Sequence, residues 1–172
     1  MAKTKKLRED IEVCCERNLT NPILKNGITQ LIELSREVKM KPTWVDTTKE
    51  GYGRYSCAYK GKRVIYYNIE NDCVLVTITL AETGMKDELK AFYLTLPDEL
   101  KKEFAISTYR HCSSNGPIRC ASCTTSVTLE YGGKEYAHCT RFNFQFQPTT
   151  HEHFEMIEQF IKLRRKYIAD NA

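Results

Sequence analysis

The chain has 172 residues, of which 41 % are apolar and 28 % are charged. This balance is typical of a globular protein and excludes a low-complexity or disordered chain. The net charge of +4 is mild. It allows an anionic partner such as nucleic acid but does not favour one, because dedicated nucleic-acid domains are usually far more basic.

The N-terminal segment predicts a cytoplasmic protein. It begins Met1-Ala-Lys-Thr-Lys-Lys and contains no apolar stretch typical of a signal peptide. No segment approaches the roughly 20 apolar residues that cross a bilayer, so we expect no membrane partner. Thiols stay reduced in the cytoplasm, and the eight cysteines therefore indicate metal binding rather than disulfides.

Residues 4–40 are predicted to form two helices. The first covers residues 4–18 and is highly charged. The second covers Gly27–Met40, where apolar residues recur at helical spacing, and Pro42 ends it. We interpret Asn21-Pro22 as an interruption between the two helices.

Residues 44–81 change to a strand pattern. Apolar and polar residues alternate, and turn signals at Gly61 and at Asn71-Asp72 divide the segment. The pattern predicts an antiparallel meander with strands at Arg54–Lys60, Arg63–Glu70 and Cys73–Ala81.

Helices are predicted again in residues 85–109 and at the C-terminal end, in residues 150–169. Thr149 and Glu152 form a sequence signature for a capping box at the start of the last helix. Between these helical segments, residues 112–146 carry cysteines and strand patterns. These strands are predicted at Ser126–Tyr131, Glu135–Thr140 and Arg141–Phe146, with a turn at Gly132-Gly133.

The predicted fold class is α+β: an antiparallel sheet meander flanked by helices, with a cysteine-bearing β-hairpin and a C-terminal helix. The sequence contains no internal repeat, low-complexity stretch or linker. One domain over residues 1–172 is therefore expected.

Four cysteines, Cys112, Cys120, Cys123 and Cys139, carry the strongest chemical signal in the sequence. The Cys-x2-Cys pair places two thiolates on one tight loop, and the Gly-Gly hairpin returns Cys139 towards that loop. Four thiolates are the ligand set of a closed structural Zn²⁺ site. His111 and His138 each neighbour a cysteine and could replace it, although neighbouring residues of a strand point to opposite faces.

Other readings of these cysteines stay open. They could be buried thiols without a metal, or ligands of an iron–sulfur cluster, although the familiar ferredoxin spacings differ. A redox pair at Cys120 and Cys123 is expected at a strand-to-helix junction, whereas this pair precedes a strand. Four further cysteines lack metal-like spacing and are predicted to be small buried side chains: Cys14, Cys15, Cys57 and Cys73.

Aromatic and basic residues are frequent in the predicted meander. Such a sheet face can hold a flat organic ligand or stack the bases of a single-stranded nucleic acid. Tyrosine is also common in sheets for structural reasons alone. The candidate ligand-binding residues are Trp44, Arg54, Tyr55, Tyr59, Tyr66 and Tyr67.

Two segments, Tyr59-Lys-Gly-Lys-Arg-Val-Ile-Tyr66 and Tyr131-Gly-Gly-Lys-Glu-Tyr-Ala-His-Cys139, carry a resemblance together with the Cys-x2-Cys loop and Pro148-Thr-Thr before the last helix. From about residue 27 onward this order resembles a group of uncharacterised small bacterial domains, common in anaerobic Gram-positive species, that end in a cysteine-rich hairpin and a helix. The resemblance implies a bacterial cytoplasmic α+β protein with a cysteine-bound metal, and it implies no activity.

The function expected from the sequence is that of a non-enzymatic, zinc-stapled binding or sensing module. Its aromatic sheet face would engage a small ligand or a protein partner. No Ser-His-Asp order, Gly-rich phosphate loop or His-Glu-x-x-His motif argues for an enzyme. The alternatives are a nucleic-acid-binding regulator and a thiol-based redox or iron–sulfur protein.

Overall fold

A computed structural model of the chain describes residues 9–45, 52–79, 85–106, 126–139 and 143–171. Within these residues the predicted α+β class is confirmed. The elements in chain order are α1 (Ile11–Asn18), α2 (Pro22–Glu37), β1 (Thr43–Trp44), β2 (Tyr52–Tyr59), β3 (Lys62–Glu70), β4 (Cys73–Ile78), α3 (Lys86–Thr95), α4 (Asp98–Ile106), β5 (Ser126–Tyr131), β6 (Lys134–Cys139), β7 (Phe144–Phe146) and α5 (His151–Asp170).

These elements fall into two compact units. The first unit covers the chain as far as Ile78 and again from Gln145 onward, and the second covers Thr79–Phe144. The single domain expected over residues 1–172 stays a prediction. No helix in the described ranges has both the length and the apolarity needed to cross a membrane.

The main sheet has the strand order β1-β2-β3-β4-β7. The predicted meander from β2 to β4 is present and antiparallel. Its two tight turns use left-handed backbone at Lys60-Gly61 and at Asn71-Asp72, which suits hairpin turns because it matches the twist of the flanking strands. A bulge between Cys57 and Ala58 shifts the β2–β3 register near the first turn.

Helix α2 begins at Pro22, whereas the helical spacing of apolar residues predicted a start at Gly27. The Asn21 side chain accepts hydrogen bonds from the amides of Ile23 (2.9 Å) and Leu24 (3.4 Å). Asn21 is therefore an N-cap, and proline is well suited to the first helical position that follows it. The Asn21-Pro22 pair starts the helix rather than interrupting two helices.

Helix α5 is also capped one residue later than predicted. Thr150 Oγ1 accepts from the His153 amide at 3.4 Å, and His153 Nδ1 accepts from the Thr150 amide at 3.3 Å. Thr150 and His153 thus form the capping box expected of Thr149 and Glu152. The sequence Thr149-Thr150 offers two possible caps, and spacing alone selected the wrong one.

The second unit combines α3 and α4 with the β5–β6 hairpin. The hairpin turns at Gly132-Gly133, as predicted, with both glycines in left-handed backbone. Phe104 stacks on Phe144 with ring centroids 4.8 Å apart, and the Tyr93 hydroxyl donates to the Glu130 carbonyl at 2.7 Å. Buried aromatic rings therefore form much of the core of this unit.

Candidate functional site

The six predicted ligand-binding residues do not share one face of the main sheet. Side chains alternate along β2, so Gly53, Tyr55 and Cys57 are buried against the helices. We call this side the helix face. Arg54 and Ser56 point to the opposite side, which we call the outer face.

Tyr55 and Tyr67 lie on the helix face and belong to the core. Tyr55 is 1 % exposed, and its hydroxyl donates to the Glu9 carbonyl at 3.1 Å. Tyr67 is fully buried, with its hydroxyl 3.1 Å from Ser35 Oγ. Burial raises the pKa of both phenols. These two side chains are already packed and hydrogen bonded, so they offer no surface to a ligand.

Trp44 and Tyr59 also lie on the helix face. Trp44 is opposite Tyr55 in the β1–β2 register and is half-buried at the sheet edge. Tyr59 ends β2, where Arg165 Cζ of α5 is 4.9 Å and Lys60 Nζ is 5.9 Å from the ring centroid. Both cations are within the range of a cation–π contact.

Arg54 and Tyr66 do come together, on the outer face. Arg54 Cζ is 4.8 Å from the centroid of the Tyr66 ring, and Arg63 Cζ is 5.6 Å from the same centroid. Tyr66 is only 7 % exposed. The ring therefore serves as a platform that holds two guanidinium groups, and a ligand would meet the cations rather than the ring.

Polar side chains surround this pair of cations. Ser56 and Thr77 occupy the positions on either side of Tyr66 in the register of the three strands. Next to them, the Tyr52 hydroxyl donates to Asn68 Oδ1 at 2.7 Å. Hydroxyl and guanidinium groups are donors for an anion, and the outer face is therefore chemically suited to a carboxylate or a phosphate.

The guanidinium of Arg54 is incompletely satisfied. Among the described residues no carboxylate pairs with it, and its Nε–H is buried without a hydrogen-bond acceptor. Cations on the helices are paired instead: Arg17 with Glu9, Lys25 with Glu16, Arg36 with Glu12 and Lys162 with Glu158. Leaving a buried charged donor unpaired costs about 1–3 kcal/mol or more, which an anionic ligand would offset.

The predicted zinc ligands fall largely outside the described residues. Cys112, Cys120, Cys123 and the neighbouring His111 lie there, whereas Cys139 is the last residue of β6 and pairs with Ser126. Within the described ranges, no three His, Cys, Asp or Glu residues are grouped to hold a metal. The Zn²⁺ site stays a prediction.

His138 occupies a packed position in the second unit. It is 3 % exposed, and its ring stacks on Phe144 with centroids 5.4 Å apart. It lies opposite Val127 on the buried side of the hairpin. His138 is therefore part of the core of the second unit, and this packed position does not require it to bind a metal.

Three of the other cysteines are buried, as the sequence predicted. Burial raises the pKa of Cys14, and it raises the pKa of Cys15 and of Cys57 to about 12. The prediction that Cys73 is buried was wrong, because Cys73 is half-exposed and accepts a weak hydrogen bond from Gln147 Nε2 at 3.4 Å. A protonated thiol is a poor nucleophile, so Cys14, Cys15 and Cys57 are unsuited to redox chemistry.

Three members of the outer face are not among the candidate ligand-binding residues predicted from the sequence: Ser56, Arg63 and Asn68. Alternation along β2 places Ser56 beside Arg54, but only the β2–β3 register brings Asn68 opposite Arg54. Arg63 is opposite Ala58, beyond the bulge that shifts the register between Cys57 and Ala58, and a strand pattern does not reveal that bulge.

Comparison of the chain with models of protein families, with curated proteins and with solved structures finds no match.

Proposed function

We propose that this protein is a non-enzymatic binding module whose outer sheet face holds an anionic group of a small ligand or of a protein partner. The observation that carries the proposal is Arg54, whose buried Nε–H has no acceptor among the described residues. Arg63 brings a second positive charge to the same ring.

An anion beside the Arg54 guanidinium would relieve an unfavourable interaction, because it would accept the free Nε–H of Arg54. The Arg63 guanidinium, which contacts the same ring, would add a second attractive charge. A planar guanidinium can bind a carboxylate or a phosphate through two parallel hydrogen bonds. The ligand class is therefore a small carboxylate or phosphate compound, or an acidic side chain of a partner.

The cysteine cluster has a structural role in this proposal. Cys112, Cys120, Cys123 and Cys139 would bind one Zn²⁺, and the spacing of the Cys-x2-Cys pair together with the hairpin that ends at Cys139 supports this assignment. Four thiolates leave no open position for water or substrate, so the metal would stabilise the fold and perform no catalysis. The cytoplasmic location and bacterial origin implied by the resemblance belong to the same proposal.

The outer face is tested by calorimetric titration of the protein with citrate, inorganic phosphate and a nucleoside monophosphate. Replacing Arg54 by Gln removes the charge and the guanidinium fork. We expect it to weaken binding of any bound anion by about 10- to 100-fold, because a hydrogen bond to a charged group contributes about 1.5–3 kcal/mol.

Arg36→Gln is the matched control, because Arg36 is exposed and already paired with Glu12. It removes the same charge from a helix and should leave the affinity unchanged. Equal binding by the wild type and Arg54→Gln, or equal losses in both variants, would contradict the proposal.

A further inference from the structure

A second cluster of cations lies at the tip of the β2–β3 hairpin, on the helix side. Lys60 and Arg165 approach the Tyr59 ring, and Lys62 is directly opposite Tyr59 in the strand register. Directly opposed residues share one face of a sheet. We call Tyr59, Lys60, Lys62 and Arg165 the basic tip.

Arg165 is fixed in this position by the end of a helix. Its Nε donates to the carbonyl of Val38, the C-cap of α2, at 3.2 Å. A cation at a helix C-terminus is stabilised by the helix dipole. The guanidinium is therefore preorganised, with its two terminal nitrogens still able to donate.

Two cations of the basic tip, Lys60 and Arg165, carry positive charge that no neighbouring acidic side chain offsets among the described residues. The sequence from Arg54 to Ile69 contains four basic residues and no acidic one. The contrast with the paired cations of the helices indicates a surface that attracts a polyanion.

We propose that the basic tip binds the phosphodiester backbone of single-stranded nucleic acid. Lys60, Lys62 and Arg165 supply charge to phosphates, and the arginine plane beside Tyr59 provides a surface on which an unpaired base can stack. This binding goes beyond the proposed function, because the basic tip lies on the helix side and Arg54 lies on the outer face.

The chemistry of the hairpin favours nucleic acid over a membrane surface. The large apolar side chains that are exposed among the described residues are Val13, Leu94 and Ile106, and none of them belongs to the hairpin. Peripheral membrane binding normally adds inserted apolar residues to the attraction of basic ones. A polar and basic surface with flat groups instead matches an unpaired strand of nucleotides.

The test measures fluorescence anisotropy of a labelled oligodeoxythymidylate of about 16 nucleotides, a length that spans a typical single-strand site. Three phosphate contacts predict that log K falls with log salt concentration with a slope of about −2. The variant Lys60→Asn/Lys62→Gln should reduce the magnitude of this slope by about 1.4. Asn is chosen at position 60 because Lys60 has left-handed backbone, which Asn tolerates.

Lys25→Gln is the control for charge loss alone. Lys25 is on α2 thirteen residues before Val38, which places it about 20 Å from the basic tip. It should retain the slope and the affinity of the wild type.

Several results would overturn the proposal. They are absence of oligonucleotide binding by the wild type, an unchanged slope in the Lys60→Asn/Lys62→Gln variant, and equal displacement of the oligonucleotide by polyglutamate of the same total charge. Binding to vesicles of anionic lipid without binding to the oligonucleotide would also overturn it.

Discussion

Cys15 and Cys57 illustrate how the position of a residue in the fold determines its chemistry. Both thiols are enclosed by the core between the helices and the sheet. Desolvation raises their pKa from 9.0 to about 12. Neither thiol is ionised near neutral pH, and both behave as small apolar side chains.

Burial of these thiols predicts whether the free energy of unfolding rises or falls with pH. In the unfolded chain they ionise near pH 9, whereas in the native protein they hold their protons to about pH 12. The native state therefore binds more protons in this window, and the free energy of unfolding falls as the pH rises through it. Each thiol lowers the free energy of unfolding by up to about 1.4 kcal/mol for each unit by which the pH rises in this window.

Urea unfolding at a series of pH values from 8 to about 11 measures this effect. Iodoacetamide labelling of the native protein gives an independent control, since half-exposed Cys73 should react before Cys14, Cys15 and Cys57. A free energy of unfolding that rises above pH 9, or rapid native labelling of Cys57, would contradict the assignment.

For single residues, the sequence indicated which residue types could bind a ligand better than it indicated the sheet face on which each side chain lies. Arg54 and Tyr66 are both among the predicted candidates, and the structure brings these two side chains together. Tyr55 was grouped with them although it adjoins Arg54 in the strand and must point the other way. The missing information is the cross-strand register, because it depends on a bulge and on turns that involve residues far apart in sequence.

At the scale of elements, the close approach of α2 and α5 depends on one glycine. A Cβ atom added to Gly27 would lie 2.3 Å from the ring of Phe154, which is itself buried. The three atoms nearest to this position all belong to that aromatic ring. The absence of a side chain at Gly27 therefore allows the two helices to pack.

Replacing Gly27 by Ala should lower the free energy of unfolding by about 1–3 kcal/mol, the usual cost of overpacking a core. The sign of this change in the free energy of unfolding is informative. The helix propensity of alanine by itself would stabilise a helix interior by about 1 kcal/mol relative to glycine. The exposed neighbour Asn26 provides the control, and Asn26→Ala should be neutral or stabilising. Denaturant unfolding measures both, and a Gly27→Ala variant as stable as the wild type would refute the tight contact.

The kinds and order of the elements were predictable, whereas several boundaries were not. Hydrophobic periodicity indicated the helices and strands, since each must bury one side. The start of α2 depended on whether Asn21-Pro22 caps or breaks a helix, and the same sequence can do either. The cap of α5 depended on a choice between adjacent threonines that only backbone geometry decides.

For the whole molecule, the zinc prediction is the one that concerns overall stability. Replacing Cys123 by Ser should abolish binding of one Zn²⁺ per chain. Because metal binding contributes to folding, it should also lower the melting temperature by about 10 °C or more. Native mass spectrometry and thermal unfolding measure the two effects.

Cys73→Ser is the control for loss of a thiol, since Cys73 has no metal-like spacing and contacts Gln147. It should retain the metal and most of the stability. Unchanged metal content and melting temperature in Cys123→Ser would exclude this cysteine as a structural ligand. The metal prediction was accessible from the sequence because ligand spacing is local, unlike the surface that binds a partner.

The mild net charge could not reveal how the cations are distributed over the molecule. Composition averages the paired cations of the helices with Arg54, Lys60 and Arg165, which have no carboxylate partner among the described residues. The two proposed binding surfaces depend on this distribution. Both would be weakened by salt, the outer face less so because Arg54 is partly buried.

The most direct test of the central claim observes Arg54 itself during titration with an anion. The Arg54 Nε–H gives a resonance in proton–nitrogen correlation spectra, and the Arg54→Lys variant, which lacks that group, identifies it. We predict that citrate or inorganic phosphate at up to millimolar concentration shifts this resonance saturably, because the anion accepts the free Nε–H. An Arg54 resonance that stays unchanged throughout both titrations would contradict the assignment of the outer face as an anion-binding site.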